Sequence, residues 1–121
     1  MLPSDPLVIE RYSGATQGQG VLLLKGPLTM ENLPLFHSAL QVEHSPTVIL
    51  DLSDVPYIDS AGLGSLVTAH ISGHKAGRRV ALAGVNKRVL KVFEITKVEP
   101  LFLMFPTLGD ALEAFASAGE A

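Results

Sequence analysis

The chain has 121 residues, the size of one domain rather than two, and its 47% hydrophobic content is enough to bury a core without covalent staples. Nine Lys and Arg against twelve Asp and Glu leave a net charge of −3, the wrong sign for a nucleic-acid binder. The absence of cysteine excludes disulfides, thiolate metal sites and cysteine nucleophiles together. Charged residues make up only 17% of the chain, against ~25% in an average soluble domain, which leaves room for a surface covered by partners or by copies of itself in a homo-oligomer.

Met1-Leu2-Pro3-Ser4-Asp5-Pro6 has no basic region followed by an apolar core, so it does not read as a signal peptide. Apolar runs are broken by Lys25, Asp51 and Pro106 well short of the ~20 residues a membrane helix requires. A cytoplasmic protein without direct membrane insertion is expected. A strand over Leu7 to Tyr12, a glycine-rich turn from Ser13 to Gly20 and a strand over Val21 to Gly26 suggest an antiparallel pair. Thr29 or Asn32 caps a first helix that runs to about His44, with Leu33, Phe36, His37 and Leu40 as its buried stripe. Pro34 falls in the first turn if Asn32 is the cap. Thr47 to Leu52 is apolar on both faces, as befits a central strand covered by helices.

A turn at Ser53-Asp54-Val55-Pro56 leads to a second helix that starts near Ser60 and closes at Gly73 and Gly77. Leu63, Leu66, Val67, His70, Ile71 and His74 form its inner stripe; Ala61, Gly64, Ser65, Thr68 and Ser72 form an outer face almost bare of long side chains. A fourth strand spans Arg79 to Gly84. Asn86 then caps a third helix with Val89, Leu90 and Phe93 inward and Lys87, Arg88, Lys91 and Glu94 outward. Leu101 to Phe105 is the last strand, and Pro106-Thr107 opens a final helix with Leu108, Ala111, Leu112 and Phe115 on its stripe. The order β-β-α-β-α-β-α-β-α predicts a single α/β domain over 1–121, with an ordered core over about 7–118. Its sheet is mixed but mostly parallel, of about five strands, with about four helices mostly on one side.

The segment Asp59-Ser60-Ala61-Gly62-Leu63-Gly64 carries the functional signal. A serine at or beside a helix N-cap is favoured because its oxygen satisfies the free amides of the first turn. The same amides and the positive end of the helix dipole favour a phosphate. Ser60 is therefore either a capping residue or a reversible charge switch. It is a poor nucleophile: no glycine stands two positions before it, and His70 lies ten residues along the helix, about 15 Å of rise. His70 and His74 have a spacing that can hold zinc, but no third ligand is evident, so neither a metal nor another cofactor is expected. Lys87, Arg88 and Lys91 read as a solvated helix face, and Asp51 and Asp54 as a strand end and a turn aspartate.

The stretch Val48-Ile49-Leu50-Asp51-Leu52 followed by Val55-Pro56-Tyr57-Ile58-Asp59-Ser60-Ala61-Gly62-Leu63-Gly64 closely resembles the signature of STAS domains, the sulfate transporter and anti-sigma factor antagonist family. The resemblance extends to Lys87-Arg88-Val89-Leu90 and Asp110-Ala111-Leu112. In anti-sigma factor antagonists the serine after the motif's aspartate is phosphorylated by an anti-sigma factor that is itself a kinase. That serine corresponds to Ser60. The resemblance implies a non-enzymatic switch in a bacterial partner-switching pathway of stress response and transcription regulation. The unmodified chain binds the kinase and frees the sigma factor, and a phosphatase restores the modified one. Asp59, Ser60, Ala61, Gly62, Leu63, Gly64, Ser65 and Thr68 are the candidate partner-binding residues. Relatives with this function often carry Glu-Leu-Asp after the second strand, where this chain has Pro27-Leu28-Thr29, so the loop beside that end differs chemically. Two other readings are a fixed STAS subunit of a larger assembly, in stress sensing or lipid transport, and a small-molecule or nucleotide module using the amides of Ser60, Ala61 and Gly62.

Overall fold

Alternation along the central strands decides the layers. Val48, Leu50 and Leu52 point to one face of the sheet, as do Leu22, Leu24 and Leu82; Val21, Ile49, Ala81 and Ala83 point to the other. Both sets are buried, so helices must cover both faces. The computed structural model describes residues 5–14 and 18–119. Met1 to Ser4, with the signal-peptide argument they carried, and the turn residues Ala15, Thr16 and Gln17 lie outside the described residues.

The elements are β1 (Val8–Ser13), β2 (Gln19–Lys25), α1 (Leu33–Gln41), β3 (Thr47–Asp54), α2 (Ser60–Lys75), β4 (Arg79–Ala83), α3 (Lys87–Ile95), β5 (Leu103–Phe105) and α4 (Leu108–Gly119). The five strands lie in chain order across the sheet. β1 pairs antiparallel with β2, and every later pairing is parallel. Three parallel crossovers that advance in one direction, each right-handed, put their helices on the same face. Accordingly Phe36 of α1, Leu63 and Leu66 of α2, and Val89 and Phe93 of α3 share one core. Among the described residues α4 connects no pair of parallel strands, and it lies on the opposite face, where Ala111 and Phe115 cover Val21, Ile49, Ala81 and Ala83. The expected mixed sheet with helices mostly on one side is the fold observed.

Local differences have physical causes. The last strand starts at Leu103 rather than Leu101, because Glu99–Leu101, with Pro100, forms a 3-10 turn that leaves Leu101 46% exposed. A 3-10 turn over Met30–Asn32 precedes α1. Asn32 occupies the cap position without a side-chain cap bond; its amide instead donates to the Pro27 and Asp5 carbonyls at 2.8 and 3.2 Å. His37 is exposed, not part of the buried stripe. α1 stops at Gln41, short of His44, and the chain turns inward to bury Glu43.

Glu43 is a buried carboxylate with its charge matched. Its Oε2 accepts from Arg11 at 3.1 Å, and its Oε1 accepts from the Ser45 amide and hydroxyl at 3.1 and 2.6 Å. Burial pushes its pKa up, but the bonds from Ser45 and Arg11 outweigh burial and hold it below the ordinary 4.5. A carboxyl depressed in the fold stabilises above its unfolded pKa, and that contribution disappears as pH falls from 4.5 through the folded value. Glu43→Gln should therefore lower the melting temperature at pH 7 and flatten its decline below pH 4.5. Parallel acid limbs for the two proteins would contradict this.

Candidate functional site

The loop between β3 and α2 is held from three sides. Asp51, buried within β3, accepts from the Ser53 amide and hydroxyl at 3.0 and 2.8 Å. Asn86, the cap of α3, accepts from the Val89 amide at 2.8 Å and donates to the carbonyls of Val55 and Pro56 at 3.0 and 3.3 Å. On the remaining side the chain leaving β2 turns at Gly26, whose φ of +126° suits glycine. Pro27-Leu28-Thr29 then runs beside the loop. Leu28 bridges Ile58 in parallel fashion; its amide donates to the Tyr57 carbonyl at 3.2 Å and its carbonyl accepts from the Asp59 amide at 3.3 Å.

Asp59, not Ser60, is the N-cap of α2. Its Oδ1 accepts from the Gly62 amide at 2.7 Å and its Oδ2 accepts from the Met30 amide at 3.0 Å. One carboxylate thus closes the first turn of α2 and pins the turn that enters α1. Ser60 is the first residue of α2, exposed, and its hydroxyl makes no hydrogen bond among the described residues. The capping explanation of Ser60 fails for that reason.

The two glycines of the motif differ. A Cβ on Gly62 would collide with the Leu28 carbonyl oxygen, so the close approach of the two segments requires glycine there. A Cβ on Gly64 would meet nothing within 4 Å. Gly64 is exposed in the second turn of a helix, where glycine costs ~1 kcal/mol relative to alanine, and no neighbour in the fold calls for it.

The outer face of α2 is correspondingly rotated from the one expected. Ser65 is buried and donates to the Gly62 carbonyl at 2.8 Å; Gly62 and Leu63 are buried as well. Ile71 is 45% exposed and His74 is exposed, so both leave the inner stripe. The open stripe is Ser60, Gly64, Thr68 and Ile71, one turn apart each. Asp59 and Ala61 are half-buried at its head. Met30, tied to Asp59 through its amide, is 69% exposed beside it, a contributor that sequence reasoning missed.

His70 packs its ring 5.7 Å from that of Phe102, and its Nδ1 is buried without a hydrogen-bond partner. Among the described residues no group of three metal-ligating side chains gathers there or elsewhere. Arg88 lies 5.0 Å over the Tyr57 ring, so part of the expected solvated basic face stacks on the loop that leads to Ser60. No helix is long and apolar enough to cross a membrane among the described residues.

Residues 8–111 match the model of the STAS domain. The chain belongs to the STAS domain family. It is 33% identical over 97 residues to a Thermotoga neapolitana protein provisionally named an anti-sigma factor antagonist homologue, an alignment covering 77% of this chain and 86% of that one. It is 32% identical over 78 residues to the anti-sigma-B factor antagonist of Listeria monocytogenes, covering 62% and 68%. A crystal structure of a provisionally named anti-sigma factor antagonist from Thermotoga maritima superposes with a TM-score of 0.79 at 26% identity, covering 88% of this chain and 92% of that one. In this chain the motif around Ser60 sits on a helix start whose cap is supplied by Asp59.

Proposed function

We propose that this STAS protein is an anti-sigma factor antagonist, a non-enzymatic regulator in the cytoplasm whose binding is switched by phosphorylation of Ser60. Its partners in this reading are a serine kinase that is itself the anti-sigma factor, and a phosphatase that restores the hydroxyl. The observation that carries the proposal is the exposure of Ser60 at the first position of α2, its hydroxyl unused among the described residues because Asp59 does the capping. A kinase can reach it, and the positive end of the helix dipole favours an added phosphate there. The names of the relatives at 33% and 32% identity support the same reading.

The docking surface in this proposal is the stripe of Ser60, Gly64, Thr68 and Ile71, flanked by Met30. Small residues next to the switch let a partner's backbone approach closely, while Met30 and Ile71 offer adaptable apolar contact. Gly64→Ala should raise fold stability by about 0.5–1 kcal/mol in thermal melts, yet weaken partner binding. A Gly64→Leu exchange should leave the melting temperature near that of the alanine form and remove binding. Full retention of binding in both forms would argue for another surface. The direct test is mass spectrometry after incubation with ATP and the anti-sigma kinase. One added phosphoryl group on Ser60 is expected, and none in Ser60→Ala.

A further inference from the structure

A concavity runs along α2 from Ser65 to Gly73. Between α1 and α2, above the first residues of β3 and β4, runs a mostly apolar groove of about 410 Å³, within the range of small-molecule sites. Val48 and Val80 form its floor, Leu40 and Ala69 its walls, and Arg78 stands at its mouth. Gly73 closes one end: it is buried, and a Cβ there would press on Val80 Cγ2 at 2.6 Å. The α2 residues that line the groove run from Ser65 to Gly73, about 12 Å along the axis, the length of an alkyl chain of about eight to ten carbons.

The charge at the mouth selects the head group. Arg78 is held by a backbone carbonyl and a ring nitrogen: Nη1 donates to the Glu43 carbonyl at 2.9 Å, and Nη2 lies 3.3 Å from His44 Nδ1. It pairs with no carboxylate among the described residues. Glu43 also lines the groove, but its carboxylate is already matched by Arg11. The mouth therefore carries one cationic fork in excess, a planar donor set that suits a single carboxylate. A polar head with no charge would leave it unmatched, and an anion with no alkyl chain would leave the floor wet.

We infer that this groove binds a medium-chain fatty acid, its carboxylate on Arg78 and its chain along Val48 and Val80. The groove shares Thr68 with the docking stripe but extends away from the switch, since Ser60 and Gly73 are separated by about 20 Å of helix rise. The experiment is an amide-shift NMR titration of the whole chain with sodium decanoate below its micelle concentration, with 1-decanol and sodium acetate as parallel probes. Saturable shifts centred on Ala69, Gly73 and Val80 are expected with decanoate, and none with acetate. Arg78→Gln, which keeps a donor for the Glu43 carbonyl, should weaken decanoate by about ten- to a hundredfold. Ala69→Leu, which fills the groove, should abolish its binding while the far-UV spectrum and melting curve show an intact fold. The inference is overturned if decanoate gives no saturable shifts, if the shifts centre outside the groove, or if decanol binds as tightly as decanoate. The wild-type titration alone decides these three outcomes, so a variant that fails to fold does not protect the inference.

Discussion

Ser60→Asp is expected to lose binding to the anti-sigma partner by more than a hundredfold, while Ser60→Ala binds like the unmodified chain and ignores the kinase. The new charge stands next to Asp59, on a stripe whose following residues are Gly64 and Thr68. A partner packed closely on that stripe must bury or face the added anion, and a penalty of ~3 kcal/mol corresponds to the stated loss. The fold should not register the change. Among the described residues Ser60 has no side-chain bond to give up, and an acidic residue in the first turn of a helix contributes roughly 0.3–1 kcal/mol in favour of folding. Calorimetric titration and melting curves on the same samples separate the two effects. If the aspartate form melts several degrees lower, its binding loss reflects unfolding and the switch proposal fails. If both variants bind as well as wild type, the docking stripe is wrong.

The second large effect lies two residues away and is entirely structural. Gly62→Ala should destabilise the fold by about 3 kcal/mol, a fall in melting temperature of roughly 10–15 °C for a chain of this size. The added methyl would overlap the Leu28 carbonyl oxygen, a backbone atom that also accepts from the Asp59 amide. Relief requires the Pro27-Leu28-Thr29 segment to withdraw, which breaks the Leu28–Ile58 bridge and strains the Met30 bond to Asp59. The same substitution at Gly64, two positions on, meets open space and should stabilise. Near-equal melting temperatures for the two alanine variants would show that the close approach is not maintained in solution.

Much of this architecture was legible before any coordinates, because the signals are local. Val48, Leu50 and Leu52 against Ile49 announce a strand with two buried faces, and Asn86 three residues before Val89 announces a cap. The side taken by α4 could not be read from Leu108, Ala111, Leu112 and Phe115, whose stripe fits either face of the sheet. Element ends were misplaced where a neighbour intervened: α1 ends early because Glu43 turns in toward Arg11, and β5 is shortened by the turn at Pro100. At the site, Ser60 was identified from its place at a helix start, but the cap belongs to Asp59. The spacing from Asp59 to Gly62, three residues, held that signal. Ser65, Ile71 and His74 were assigned to the wrong faces because small and amphipathic side chains give a weak helical period. The contributions of Met30 and of the Leu28 carbonyl depend on a contact between distant segments, which no local pattern encodes.

The division of labour between Asp59 and Ser60 has a kinetic corollary. A side chain with no part in holding its own backbone can gain and lose a phosphoryl group with little conformational work in either direction. Neither form is then a trap, and the lifetime of each is set by the catalysts that write and erase the mark. The chain in that case stores information without storing strain, so its response should track the ratio of kinase to phosphatase activity continuously.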